Sequence, residues 1–214
     1  MKLFIGLLAM ELILAMTGIG RAQTIIEGHI DLPKAPSIEV INKRYELSGE
    51  QTVITPDPPA AVVYLEGNFA PANHPPVAQM VQKNMDFVPR LLPIRVGTRV
   101  EFPNEDKMYH SVFSFSKPKR FDLGRYRGDE RPIPSVVFDQ LGVVVCRCDI
   151  HEHMRAIILI LDTPYFQRTD LKGNYRISGL PLGHYKFCAW LDDKTLLEKQ
   201  VDLRDGATLH LDFP

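Results

Sequence analysis

The chain has 214 residues, 45% of them hydrophobic and 24% charged, which supplies a core and excludes an intrinsically disordered chain. With 25 basic against 26 acidic residues the formal charge is −1, so neither nucleic acid nor an anionic membrane surface is advertised as a partner. Three cysteines are too few for a disulfide scaffold, and the length admits one large domain or two small ones.

Residues 1–22 read as a secretory signal peptide: Lys2 is the positive n-region, Leu3 to Ile19 the apolar stretch, and Gly20-Arg-Ala22 the cleavage site before Gln23. An uncleaved membrane anchor is the competing reading. Against it, the apolar run is short for a span and Glu11 sits in its middle. No cysteine follows for lipid attachment, and no later apolar stretch would span a membrane. The expected location is the periplasm or the exterior.

Thr24 to Leu32 has the β-branched content of a strand, and the polar stretch after it ends in the turn cluster Pro56-Asp-Pro-Pro59. Ala60 to Gly67 is a second strand, and Phe69 to Pro76, with its prolines, a connector. Ala78 to Met85 admits a helical turn, a reading outweighed by the extended look of Met85 to Pro89. Arg90–Val96, Arg99–Phe102, His110–Ser116, Ser135–Phe138, Val143–Cys148 and Arg155–Leu161 are short strands between Pro, Gly, Asn and Asp punctuation. Thr169 to Ile177 reads as strand, turn and strand about Gly173, followed by a strand to Trp190 and two more at Gln200–Leu203 and Thr208–Phe213. The fold class is all-β, a β-sandwich or two.

One stretch carries chemistry: Gly142-Val-Val-Val-Cys-Arg-Cys-Asp-Ile-His-Glu-His-Met154. Alternation puts Val144, Cys146 and Cys148 on one face, so Cys148 ends a buried face where the strand becomes a loop carrying His151 and Met154. His110 opens another strand and can add a second imidazole. Thiolate, imidazole and thioether are soft or borderline donors that suit copper, and one Cys, two His and a weak axial Met describe an electron-transfer copper site. Zinc could occupy such a set, but the thioether and the order of divalent affinities favour copper. The bland alternative, a chance meeting of strand and loop, has to explain four suitable donors at once.

Pro89 to Asp106, His110-Ser-Val-Phe-Ser114 and Gly142 to Met154 together resemble the cupredoxins, the type 1 blue copper proteins, and the Cys-x2-His-x2-Met loop has amicyanin-like spacing. Phe121-Asp-Leu-Gly-Arg-Tyr126 resembles the cupredoxin-bearing methylamine-utilisation proteins. The resemblance implies a Greek-key β-sandwich with equatorial His110, Cys148 and His151, axial Met154, one copper per chain, and His151 as the electron's exit. It departs from the family at Ser111, where Asn is common and ties the two ligand loops together, and at Gln140-Leu141, where a Pro is usual. Gly28-His-Ile30 with Ala61 to Leu65, and Thr169 to Tyr185, resemble the two halves of a transthyretin-like, carboxypeptidase regulatory-like β-sandwich. The expected division is therefore signal peptide 1–22, first accessory strands 23–70, cupredoxin domain 71–162 and remaining accessory strands 163–214. Nested and tandem arrangements both fit.

The remaining candidates are weaker. Cys146, two residues or roughly 7 Å along the strand from Cys148, is beyond disulfide reach of it and reads as a buried core thiol. A bridge to Cys188 or a redox-active thiol are the alternatives. His153 is expected on the solvent side of the loop; His29, His74, His184 and His210 are isolated. Met80, Met85 and Met108 have no metal-site spacing, and Asp122, Asp129 and Glu130 lack calcium spacing. Trp190, with Tyr185 and Phe187, is expected to pack the accessory sandwich. Arg147, Asp149, Glu152 and Arg155 are mixed in sign and identify no docking face. The expected function is an exported one-electron carrier that serves redox partner proteins and is not an enzyme. Copper delivery or sequestration is the alternative, told apart by copper release to an apo-protein; an enzyme with an extra catalytic metal would bind more than one ion.

Overall fold

The computed structural model describes residues 24–33, 59–192 and 195–214. The signal sequence and most of the Pro56–Pro59 turn cluster lie outside the described residues. Every regular element among the described residues is a β-strand, and no helix there is long and apolar enough to cross a membrane.

The chain opens with β1 (Thr24–His29) and β2 (Val62–Glu66). Ten strands follow: β3 (Val77–Gln79), β4 (Val81–Lys83), β5 (Asp86–Val88), β6 (Leu91–Arg95), β7 (Thr98–Glu101), β8 (His110–Ser114), β9 (Phe121–Tyr126), β10 (Ser135–Phe138), β11 (Gly142–Arg147) and β12 (Arg155–Leu161). It closes with β13 (Phe166–Arg168), β14 (Asn174–Leu180), β15 (Gly183–Asp192), β16 (Thr195–Leu203) and β17 (Thr208–His210).

Pairing groups these strands into two cores. β1 lies between β14 and β17, and β2 between β13 and β15, so strands from the two chain ends share sheets. Ile26, Val63, Leu65, Ile177, Phe187 and Ala189 fill the space between those sheets. The middle strands form a sheet ordered β6-β12-β11-β8-β9 that faces β10-β7-β3. Their core holds Phe87, Val100, Phe102, Phe138, Val144, Cys146, Ile158 and Ile160. Each such side chain contributes about 1.5–3 kcal/mol by leaving water.

The sandwiches pack against each other through strands buried on both faces. In β12, Ala156, Ile158 and Ile160 point into the middle core while Leu159 and Leu161 meet Val62 and Trp190 across the boundary. That two-sided burial explains the unbroken apolar run Ala156–Leu161, which shows no polar alternation.

One expectation needs correction. Trp190 does not pack inside the accessory sandwich: Phe187 and Ala189 point into that core, and Trp190, of opposite parity, faces the middle sandwich. The strand, turn and strand about Gly173 are present, with the two arms in different sheets: β13 pairs with β2 and β14 with β1. The turn, closed by the Gly173 amide donating to Asp170 O, carries the chain between sheets. A Cβ at Gly173 would lie 2.0 Å from Ile30 O, and its φ is +85°, so no other residue fits there. The preferred extended reading of Ala78–Pro89 agrees with the strands: Asn84 and Met85 take left-handed φ values of 55° and 59° between the paired β4 and β5.

Candidate metal centre

Strand order brings the candidate donors to one end of the middle sandwich. β11 lies between β8 and β12, and Arg147 pairs with Phe113 across β8, so the end of β11 reaches the start of β8 where His110 stands. Beyond β11 the loop closes on itself: the Met154 amide donates to His151 O at 3.0 Å, and the Cys148 amide to Met154 O at 3.3 Å. Inward parity holds for Val144, Cys146 and Cys148, all buried.

His110 Nδ1 and His151 Nδ1 are 2.9 Å apart, and Cys148 Sγ is 3.8 Å from His151 Nδ1. The three donors lie within 4.8 Å of one another, a group that can hold one ion. Exposure is 0% at His110, 4% at Cys148 and 5% at His151. Met154 is fully buried in the same apolar core as Cys148. Two imidazole nitrogens and a sulfur, walled by apolar side chains, fit a soft or borderline metal.

Burial alone would push the Cys148 thiol up. Hydrogen bonds from His110 and from the amides of Ser111, His151 and Ile150 outweigh it and bring the thiol down to about 5. The donor is thus a thiolate at neutral pH, the form that binds metals. His110 shows the reverse balance: burial lowers it, but Cys148 and Asp106 raise it above the usual range.

Asp106 was missed by the sequence reading. It sits one helical-turn spacing before His110, but the intervening segment is loop, and no metal-ligand pattern includes it. Its Oδ2 accepts from His110 Nε2 at 2.8 Å, and its two oxygens take the Asn84 and Met85 amides at 2.8 and 2.9 Å. Burial works against the charge on Asp106, yet these donors hold its carboxyl below the usual carboxylate range. With the proton fixed on Nε2, the His110 Nδ1 lone pair is left for a metal.

Ser111 does tie the ligand loops together, through a carboxylate. Its hydroxyl donates to Asp149 Oδ1 at 2.5 Å and accepts from the Asp149 amide at 2.9 Å. Asp149 Oδ2 is in turn gripped by Arg125 Nε and Nη2 at 3.0 and 2.8 Å. The Ser111 amide donates to Cys148 Sγ at 3.5 Å.

His153 is half-buried rather than turned to solvent: its Nε2 donates to Met85 O at 2.8 Å, and its Nδ1 is buried with no partner among the described residues. All three cysteines are free, and burial pushes the Cys146 thiol up to about 12, as an inert core residue requires. Cys188 lies by Glu66 and Glu198, a second donor group that already holds a cation, since Lys186 Nζ is 3.3 and 3.4 Å from their carboxylates.

No protein-family model and no curated protein sequence matches the chain. Solved structures match part of it. A copper-containing nitrite reductase from Thermus scotoductus SA-01 is 27% identical over 46% of this chain and 25% of its own, with a TM-score of 0.39. A purple cupredoxin from Nitrosopumilus maritimus is 23% identical over 39% of this chain and 99% of its own, with a TM-score of 0.35. A reduced amicyanin variant is 17% identical over 46% and 98%, with a TM-score of 0.36. The chain spans about a quarter of the length of the nitrite reductase.

Proposed function

We propose that this chain is a type 1 copper protein that carries one electron at a time, with His110, Cys148 and His151 as equatorial ligands and Met154 as the weak axial donor. The observation that carries this reading is the convergence of both Nδ1 atoms and the Cys148 sulfur in one buried pocket. Copper would supply the one-electron couple.

The protein's own residues supply the rest. Asp106 fixes the tautomer of His110, and the amides around Cys148 favour its thiolate. Ser111, Asp149 and Arg125 hold the two ligand loops at a set separation, so the cage need change little between oxidation states. His151, at 5% exposure against 0% for His110, offers the shorter way out to a redox partner. The proposal includes export to the periplasm or exterior by the leading 1–22 segment, a cupredoxin identity for the middle sandwich, and a transthyretin-like accessory sandwich built from the two chain ends.

The test is to load the chain lacking residues 1–22 with Cu(II) and record absorption and paramagnetic-resonance spectra. An intense visible thiolate-to-copper band with narrow hyperfine splitting is expected, and it should vanish in Cys148→Ser. A colourless adduct, or a Cys148→Ser protein that stays blue, would refute the assignment. Rapid, reversible reduction supports the carrier; ready copper transfer to an apo-protein would instead favour delivery.

A further inference from the structure

Between the two sandwiches lies a cleft of about 590 Å³, within the usual range for small-molecule sites. Its lining includes Arg90, Arg155, Arg168, His153, Ile157 and Trp190, and none of the four candidate copper ligands. The cleft is therefore separate from the candidate copper ligands.

The cleft's charge is unbalanced. Arg90 is held by Asp86, whose Oδ2 accepts from its Nε at 2.7 Å. Arg155 and Arg168 have no ionic or side-chain hydrogen-bond partner among the described residues, whereas Arg125, Arg176 and Arg204 each meet a carboxylate. Arg155 also stands directly opposite Arg147 across the β11–β12 pair, and like charges so placed repel. An anion in the cleft would offset the charge of Arg155 on that side.

Part of the lining is apolar. Trp190 and Leu91 line the cleft and belong to the cluster that joins the sandwiches. A neutral apolar ligand would leave the guanidinium groups unpaired, and a bare inorganic anion would leave most of the volume and the Trp190 wall unused. Guanidinium forks match a carboxylate in geometry as well as in charge.

We propose that this cleft binds a small aromatic carboxylate, with its carboxylate on Arg155 and Arg168 and its ring against Trp190. Trp190 is the only tryptophan of the chain, so its indole N–H resonance reports on the cleft directly.

The experiment titrates the full chain with naphthoate, measured by calorimetry and by that resonance, with naphthalenemethanol and inorganic phosphate as probes lacking the charge or the ring. Naphthoate should bind saturably and move the Trp190 signal, and both comparison probes should bind at least about tenfold more weakly. Arg155→Gln and Arg168→Gln should each weaken naphthoate about tenfold, and Arg99→Gln, on another sheet, should not. These arginines are exposed, so their replacement leaves the core intact. An unmoved Trp190 signal, phosphate binding as tight as naphthoate, or unchanged binding in both cleft variants overturns the proposal.

Discussion

His110 Nδ1 stands 2.9 Å from His151 Nδ1 across 41 positions of sequence. Asp106 accepts from His110 Nε2 at 2.8 Å, which turns the Nδ1 edge of the ring toward His151. The two ring nitrogens that face one another are therefore already where a metal would part them. Asp106 is the residue that sets this arrangement, and its removal is the most direct probe of it.

Asp106→Asn should weaken copper binding by about 10–100-fold, the usual cost of losing a carboxylate behind a ligating histidine. Glu105→Gln, one residue away in a surface pair with Lys83, should leave it unchanged. Competition titration against a chelator measures both; equal affinities would show that Asp106 does not orient His110.

Ser111→Ala removes both hydroxyl contacts to Asp149 while keeping the amide that donates to Cys148 Sγ. The blue colour should therefore persist, and the metal-free chain should lose about 1–3 kcal/mol in urea unfolding. Loss of colour with unchanged stability would contradict the tie between loops.

The metal-free chain should show a pH dependence owed to Cys148. Its thiol titrates at about 5 folded against 9.0 ordinarily, so the stability it contributes is full above 9 and lost as pH falls through 5. His110, raised above its ordinary 6.5, contributes stability that is full below 6.5 and fades above its folded value. From about pH 5 to 6.5 the unfolded chain binds the extra Cys148 proton while His110 is charged in both states, so stability should rise with pH. Above 6.5 the two contributions offset each other until His110 discharges. Denaturant midpoints across this range should show the rise in the native sequence and its absence in Cys148→Ser.

Met154→Leu preserves volume in the buried core and should cost less than about 1.5 kcal/mol. On the proposed ligand set it should retain copper and colour while shifting the reduction potential, because a weakly bound thioether would tune the couple without anchoring the ion. Voltammetry that finds an unchanged potential would remove Met154 from the ligand set.

Trp190→Ala should cost about 3–5 kcal/mol, since it empties the apolar seam between the two sandwiches and its neighbours Val62, Leu159 and Leu161 cannot close the gap. A loss below 1 kcal/mol, on the order of an exposed site, would mean the seam adds little to stability.

Much of this was legible in the linear chain because it depends on short-range rules. Period-two alternation puts Val144, Cys146 and Cys148 on one face, and the donor types around Cys148 name the class of metal whatever surrounds them. Alternation alone does not say what each face of a strand buried on both sides will meet. Trp190 reads with Tyr185 and Phe187 as accessory core, although parity opposite to theirs turns it toward the other sandwich. Gly173 marked a true turn but said nothing about which sheets its arms would join.

Asp106, Ser111 with Asp149 and Arg125, and the guanidinium groups of Arg155 and Arg168, unpaired among the described residues, have their meaning only through contacts between distant strands. A carboxylate four residues before a histidine is unremarkable until a turn aims it at the ring, and an arginine looks solvated until its neighbours are known. Donor chemistry is a property of residue types and travels with the sequence. Proton placement, loop tethering and uncompensated charge are properties of separation in space, and only the folded chain sets those distances.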